Sequence, residues 1–464
     1  MSTLLKVVSP VDGSIYAELP LADAKVIDET LAKAKRAAAE WRHTSIAERA
    51  ELVLRFVEAF TAMKDEIVPE LAWQMGRPIA YGAGEVRGFE ERARYMVDIA
   101  ESTLADIDVG QKEGFNRWIS REPLGVVLAI AAWNYPYLIA VNVVLPAIMA
   151  GNAVILKHSG QTPLCAERFA AAFKLAGAPE GLFAAIHMSH DLTEKMIGDN
   201  RVDYVAFTGS VAGGHAIVKA AAGRFINVGL ELGGKDPAYV RHDANLAHAV
   251  ENLVDGAFFN SGQSCCGMER LYVHADVYDK FVEGFVDLTK GYKLGSPLDA
   301  ATTLGPMVRS SAAAFVRGQT ESAIRGGAKA LIDEKLFPAS KAGTPYLAPQ
   351  VLVNVNHQMD VMREETFGPV IGIMKVSSDD EAIQLMNDSP YGLTAAVWTE
   401  DEAAAISIGD RVETGTFFMN RCDYLDPALP WTGIKDTGRG ATLSRVGYEY
   451  LTRPKSHHLR TKTS

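Results

Sequence analysis

Hydrophobic positions recur at two periods along the chain. Over 23–105 they follow helical spacing, in Ala-rich, charged stretches such as 23–41 and 46–63, which predicts a mainly helical segment. Beyond Pro123 the texture changes to short apolar runs closed by turns. The runs 126–131, 153–157, 204–208 and 225–231 read as buried strands, each followed by a turn or a helix. The pattern restarts after Gly233, with strands expected at 236–240, 270–273, 350–355 and 370–375. Strands alternating with helices predict an α/β protein built on parallel sheets.

One stretch imitates a membrane span. Residues 123–156 carry no charge, which is longer than the ~20 residues a spanning helix needs. Asn134, Pro136, Asn142, Pro146, Gly151 and Asn152 divide it, so a strand at 124–131, a buried helix at 139–149 and a strand at 153–156 are expected instead. The start of the chain holds Asp12 and no long apolar core, so no export signal is expected.

Composition narrows the class. With 464 residues, 48% hydrophobic and 22% charged, two or three globular domains are expected. The 57 acidic residues outnumber the 46 basic ones, giving a net charge of −11. Such a chain repels phosphate backbones, so nucleic acid is not an expected partner. The four cysteines, Cys165, Cys265, Cys266 and Cys422, make no disulfide framework and fit a reducing cytoplasm. No metal site is expected.

Chemistry concentrates in a few turns. Cys265 and Cys266 lie in a Gly/Gln/Ser-rich turn, where backbone amides stabilise a thiolate; either one serves as a nucleophile on these grounds, and a buried inert thiol is the plainer alternative. Glu231 closes an apolar run. It reads either as a strand-end carboxylate paired with Lys235 or as a general base raised by burial. Asn134, at a strand end, is either a turn residue or an oxyanion donor. The segment from Phe207 through Gly209, Ser210 and Gly214 follows a strand and opens a helix, a context that cradles phosphate, although it lacks the Gly-x-Gly-x-x-Gly fingerprint. The basic tail 454–464 is either a solvated end or an edge strand that pairs with another subunit.

Taken together, these segments resemble the aldehyde dehydrogenase superfamily over essentially the whole chain. The resemblance is carried by Trp133-Asn134, Ile155-Leu-Lys157, Phe207-Thr-Gly-Ser210, Glu231-Leu-Gly-Gly234-Lys, Gly262-Gln263 with Cys265, Glu364-Glu365-Thr-Phe367-Gly-Pro369, Asn420, and Trp431-Thr-Gly433 with Lys435 and Gly438-Arg439. It implies two Rossmann-like α/β domains plus a small β bridging domain that mediates oligomerisation. The implied bounds are a cofactor-binding domain over 1–105 and 125–232, a catalytic domain over 233–436, bridging segments 106–124 and 452–464, and a return to the cofactor domain over 437–451. An edge strand is expected at 116–121, and a homodimer or homotetramer follows from it.

The resemblance also implies roles. Cys265 is the nucleophile, Asn134 the oxyanion donor and Glu231 the base that activates water. Trp133, Lys157, Gly160, Gly209, Ser210, Gly214, Gly233, Glu365 and Phe367 are expected around NAD or NADP. Tyr135, Ile139, Asn142, Ser264, Cys266, Tyr424, Leu425 and Trp431 are expected to line the substrate tunnel. Gly160 stands where the family often has a Glu on the adenosine ribose, which implies dual or NADP-leaning use; His158 reads either as a group near the extra phosphate or, more plainly, as a surface or packing residue. Asp423 and Asp426 beside aromatic residues suggest an aminoaldehyde, with semialdehydes and other aldehydes as competing classes; Asp423 paired with Arg421 is the plainer reading. A cofactor-independent cysteine esterase and a non-catalytic structural protein on the same fold are the rival functions.

Overall fold

The computed structural model describes residues 4–463. Two sheets organise it. The first runs in the order Gly438–Arg439, Asn227–Glu231, Tyr204–Thr208, Val126–Ala131, Ala153–His158, Phe183–Ala185, parallel except for the short outer strand Gly438–Arg439. The second runs Lys329–Ala330, Gln350–Val353, Val370–Val376, Met268–His274, Asp236–Val240, Thr394–Trp398, Thr416–Met419, parallel except for Lys329–Ala330.

The charge-free stretch forms the centre of the first sheet. Val126–Ala131 and Ala153–His158 are adjacent parallel strands, buried at every position, and the helix Pro136–Met149 joins them. Continuous apolar sequence here reflects burial on both faces of a parallel sheet. Among the described residues no helix is long and apolar enough to cross a membrane.

The N-terminal helices start where their caps dictate. Asp23 accepts from the amides of Lys25 and Val26 ahead of Ala24–Trp41, and Ser45 with Glu48 forms a capping box on Ile46–Thr61. The long helix Ile79–Asp98 brings Gly84, Arg87, Gly88, Glu91 and Arg92 onto one side, three or four residues apart.

A third, antiparallel sheet stands apart. Thr452–Arg460 pairs with Phe115–Pro123 along its full length, and Ile107–Asp108 pairs on the other side. The expected strand at 116–121 is therefore the middle strand and not an edge. The basic tail supplies the edge and pairs within its own chain, with Trp118 and His457 stacked 4.2 Å apart.

Asn152 ties these parts together. Buried at the end of the apolar stretch, it accepts from the amide of Gly125 at 2.9 Å and donates to the carbonyls of Ala147 at 3.1 Å and Leu451 at 2.9 Å. Asn152→Ala leaves buried backbone groups unpaired at the start of a central strand and before the tail. We expect a cost of about 2–4 kcal/mol, read as a lower midpoint in thermal unfolding.

Candidate active site

The turn that carries Cys265 is built by hydrogen bonds rather than by apolar packing. Asn260 and Ser261 adopt left-handed backbone, with φ of 54° and 58°. The Asn260 amide donates to the carbonyls of Asn134 and Gln263, both at 3.1 Å, while the Gln263 side chain donates to Asn260 O and accepts from Val308 N. Gly262 has φ of 70°, and a side chain there would run into the backbone of Gly368 and Pro369. The two cysteines that follow face different surroundings. Cys266 is buried, and its thiol donates to Asp423 Oδ1 at 3.0 Å. The neighbouring Cys265 thiol and burial push the Cys266 thiol well above the ordinary range. Cys265 is partly open, and among the described residues no histidine is hydrogen-bonded to it.

Glu231 ends the strand Asn227–Glu231 with its carboxylate between two hydroxyls. Thr208 donates to Oε2 at 3.0 Å and Thr442 to Oε1 at 2.6 Å. Burial raises the Glu231 carboxyl, and the two hydroxyls and Arg92 oppose that rise. The expected alternative pairing with Lys235 does not form. Lys235 is buried and donates to Glu269 at 2.5 Å and Thr366 at 2.8 Å. Glu269 in turn accepts the amides of Thr366 and Phe367, both at 2.8 Å, and so fixes the turn that presents Glu365 and Phe367.

Asn134 is buried, and its carbonyl accepts from Arg77 at 2.6 Å and from Asn260. Arg77 pairs with the buried Glu85 and lies 4.5 Å from the Tyr135 ring centroid. The Asn134 side-chain amide makes no hydrogen bond among the described residues.

Two cavities meet at Cys265 and Glu231. One, of about 430 Å³, contains all eight expected tunnel residues on its wall, together with Arg87, Glu91, Arg92, Leu232, Asp255, Phe259 and Asp423. The other, of about 220 Å³, is lined by Trp133, Asn134, Gly209, Ser210, Gly233, Glu365 and Phe367, along with Cys265 and Glu231. Cys265, Glu231, Thr208 and Leu232 are common to both. The second cavity suits a dinucleotide end. Ser210 caps the helix Val211–Ala221, leaving amide donors at its start, and a side chain at Gly233 would collide with the Glu365 carboxyl. Burial, reinforced by Glu269, pushes Glu365 up to about 8.

Three expected cofactor residues lie off that wall. Gly214 packs against the Leu232 side chain, which a Cβ would overlap. Lys157 is buried at the end of Ala153–His158, and Gly160 packs under Leu5 of the N-terminal hairpin, whose Cδ1 would lie 3.1 Å from a Cβ there. Of the two readings of His158, the structure fits the packing residue and not an approach to a phosphate. It is buried, with one ring nitrogen 3.2 Å from Pro136 O and the other 3.1 Å from Thr162 Oγ1, and burial lowers it to about 4.

The loop after Asn420 also departs from expectation. Asp423 does not pair with Arg421. It turns inward, accepting from Ser264 at 2.7 Å as well as from Cys266, while Arg421 stacks 3.4 Å over the Tyr424 ring. Sequence reasoning gave no role to Thr442, Arg92, Leu232, Asp255 or Phe259. The Arg87-Gly88 and Glu91-Arg92 pairs at helical spacing are the visible signal for one wall; nothing local marks Thr442, which is brought to Glu231 by the strand pairing of Gly438–Arg439 and by its own bridge to Trp431.

Comparison with known proteins identifies the family. The model of the aldehyde dehydrogenase family matches residues 1–457. A 3,6-anhydro-alpha-L-galactose dehydrogenase of Streptomyces coelicolor is 33% identical over 98% of this chain and 93% of its own length. An NADP-dependent succinate-semialdehyde dehydrogenase of Mycobacterium avium is 34% identical over 95% of this chain and 93% of its own. The structure of PnpE from Pseudomonas sp. WBC-3, in complex with nicotinamide adenine dinucleotide, superimposes with a TM-score of 0.95 at 30% identity, over 100% of this chain and 95% of that one. The chain belongs to the aldehyde dehydrogenase family and is an NAD(P)-dependent enzyme.

Proposed function

We propose that this enzyme oxidises an aldehyde to the carboxylic acid through a covalent bond to Cys265, and that Glu231 hydrolyses the resulting thioester. The observation that carries this reading is the meeting of two cavities at one open thiol and one half-buried carboxylate. In it, the Cys265 thiolate adds to the aldehyde carbon from the larger cavity. The Asn134 amide, left free by the bonds that fix its backbone, and the Cys265 N–H receive the oxyanion. When bound in the smaller cavity against Trp133, Glu365 and Phe367, the nicotinamide supplies the hydride acceptor that allows the adduct to become a thioester. Glu231 then takes a proton from water, the hydroxide adds to the thioester carbon, and the Cys265 thiolate departs. The absence of a histidine bonded to Cys265 among the described residues favours this reading over a cofactor-independent esterase.

We assign 1–105, 125–232 and 437–451 to cofactor binding and 233–436 to catalysis. We read the outer edge of Thr452–Arg460 as the contact for a second copy, giving a homodimer or homotetramer. Four free thiols fit a reducing cytoplasm.

An aminoaldehyde substrate is less favoured than the sequence suggested. The rings of Tyr135 and Tyr424 already carry the guanidinium groups of Arg77 and Arg421. Arg87 and Arg92 also line the same cavity.

Three outcomes test the reading. Cys265→Ala should abolish aldehyde-dependent formation of reduced nicotinamide, followed by absorbance; retained activity refutes the assignment. The hydroxyls on Glu231 favour its charged form, so Thr442→Val should raise its pKa further. The acid limb of the kcat profile should then move to higher pH, with lower activity on the acid side and near-normal activity well above it. No carboxylate stands at Gly160 to repel a 2′-phosphate, so dual or NADP-leaning use follows; kcat/KM with NAD should exceed that with NADP by less than about 100-fold, a gap of ~2.7 kcal/mol.

A further inference from the structure

We infer that the larger cavity recognises a hydroxylated, uncharged aldehyde, through Arg92 and Asn142 as donors and Asp423 as acceptor; this rests on the reading that Cys265 attacks from that cavity. Arg92 is about nine-tenths buried on the helix Ile79–Asp98. Its Nη1 donates to Leu138 O at 3.1 Å and Asn142 Oδ1 at 3.2 Å. Its Nε and Nη2 have no partner among the described residues, and no carboxylate lies within the 4.0 Å of an ion pair. A guanidinium keeps its charge and carries five donors, so a buried one with idle donors on a cavity wall is built to receive oxygen atoms from a ligand. Asn142 is buried too, and its Nδ2 is unused once Oδ1 takes Arg92.

The acceptor lies on the same wall. Both hydrogen bonds to Asp423, from Ser264 and Cys266, fall on Oδ1, which leaves Oδ2 free. Arg92 and Asp423 are close enough to influence each other's charge, yet do not pair. A site with idle donors and an idle acceptor is satisfied best by hydroxyl groups, which both donate and accept. A substrate carboxylate would meet Asp423 and Glu231, and an ammonium would meet buried Arg92. A cavity of about 430 Å³ accommodates a compact polyol chain, and Trp431 with Tyr135 offers apolar surface for its C–H groups.

The test is a four-aldehyde panel on the purified enzyme, with kcat/KM measured for glyceraldehyde, propanal, succinic semialdehyde and 4-aminobutanal. Glyceraldehyde should lead propanal by at least about thirtyfold, because propanal leaves the buried polar groups unpaired, and should lead both charged aldehydes. In Arg92→Met the ratio of glyceraldehyde to propanal should fall to within about threefold of unity, with Arg92→Lys restoring part of it and Asp423→Asn lowering it. If Arg92→Met does not fold, the wild-type ranking and Asp423→Asn decide. Equal use of glyceraldehyde and propanal, a charged aldehyde in first place, or a ratio unchanged in a folded Arg92→Met overturns the inference and leaves the Cys265 reading intact. No oxidation of any of the four, propanal included, overturns both.

Discussion

A buried cation sets the terms for this site. Between the strands Asn227–Glu231 and Asp236–Val240 the chain crosses from one sheet to the other, and Lys235 is carried into the interior. An ammonium there is tolerable only with a partner, and Glu269 on the neighbouring strand provides it. The same carboxylate holds two amides of the turn after Glu365, so one ion pair fixes the crossing segment and the turn that presents Glu365 and Phe367 together. Because the crossing begins one residue after Glu231, that carboxylate inherits its position from the same constraint. Gly233 is part of it, since any side chain there would occupy the space of the Glu365 carboxyl.

Identical chemistry is then divided by environment. Cys265 and Cys266 are neighbours, yet one opens onto two cavities and the other is a buried donor to Asp423. Glu231, Glu365 and Asp423 are all carboxyls raised by burial, but their partners differ: two hydroxyls on Glu231, a backbone amide on Glu365, a hydroxyl and a thiol on Asp423. Burial is the shared cause, and the donor set is what distinguishes the three carboxyls. The same division appears among the arginines. Arg77 is spent on Glu85, Asn134 and the Tyr135 ring, whereas Arg92 keeps idle donors toward the cavity.

Legibility from sequence followed the range of the interaction. The central strands and the charge-free βαβ unit were visible because a strand buried on both faces is continuously apolar, which is a local property. Caps such as Asp23 and Ser45 are equally local. All eight expected tunnel residues line the larger cavity, while Lys157, Gly160 and Gly214 miss the smaller one. The strand at 116–121 reads as an edge from sequence because nothing in its own residues names its long partner, which comes from the far end of the chain.

By itself the sequence determined the α/β alternation, the family, and the residue types held ready in each turn, since these depend on period, spacing and short motifs. Only the tertiary structure decided which cysteine is open, that Lys235 belongs to Glu269 and not Glu231, that His158 faces inward, and that Thr442 reaches Glu231. Each of those depends on groups distant in sequence meeting in a low-dielectric interior, where hydrogen-bond partners and burial, not residue type, set charge and reactivity.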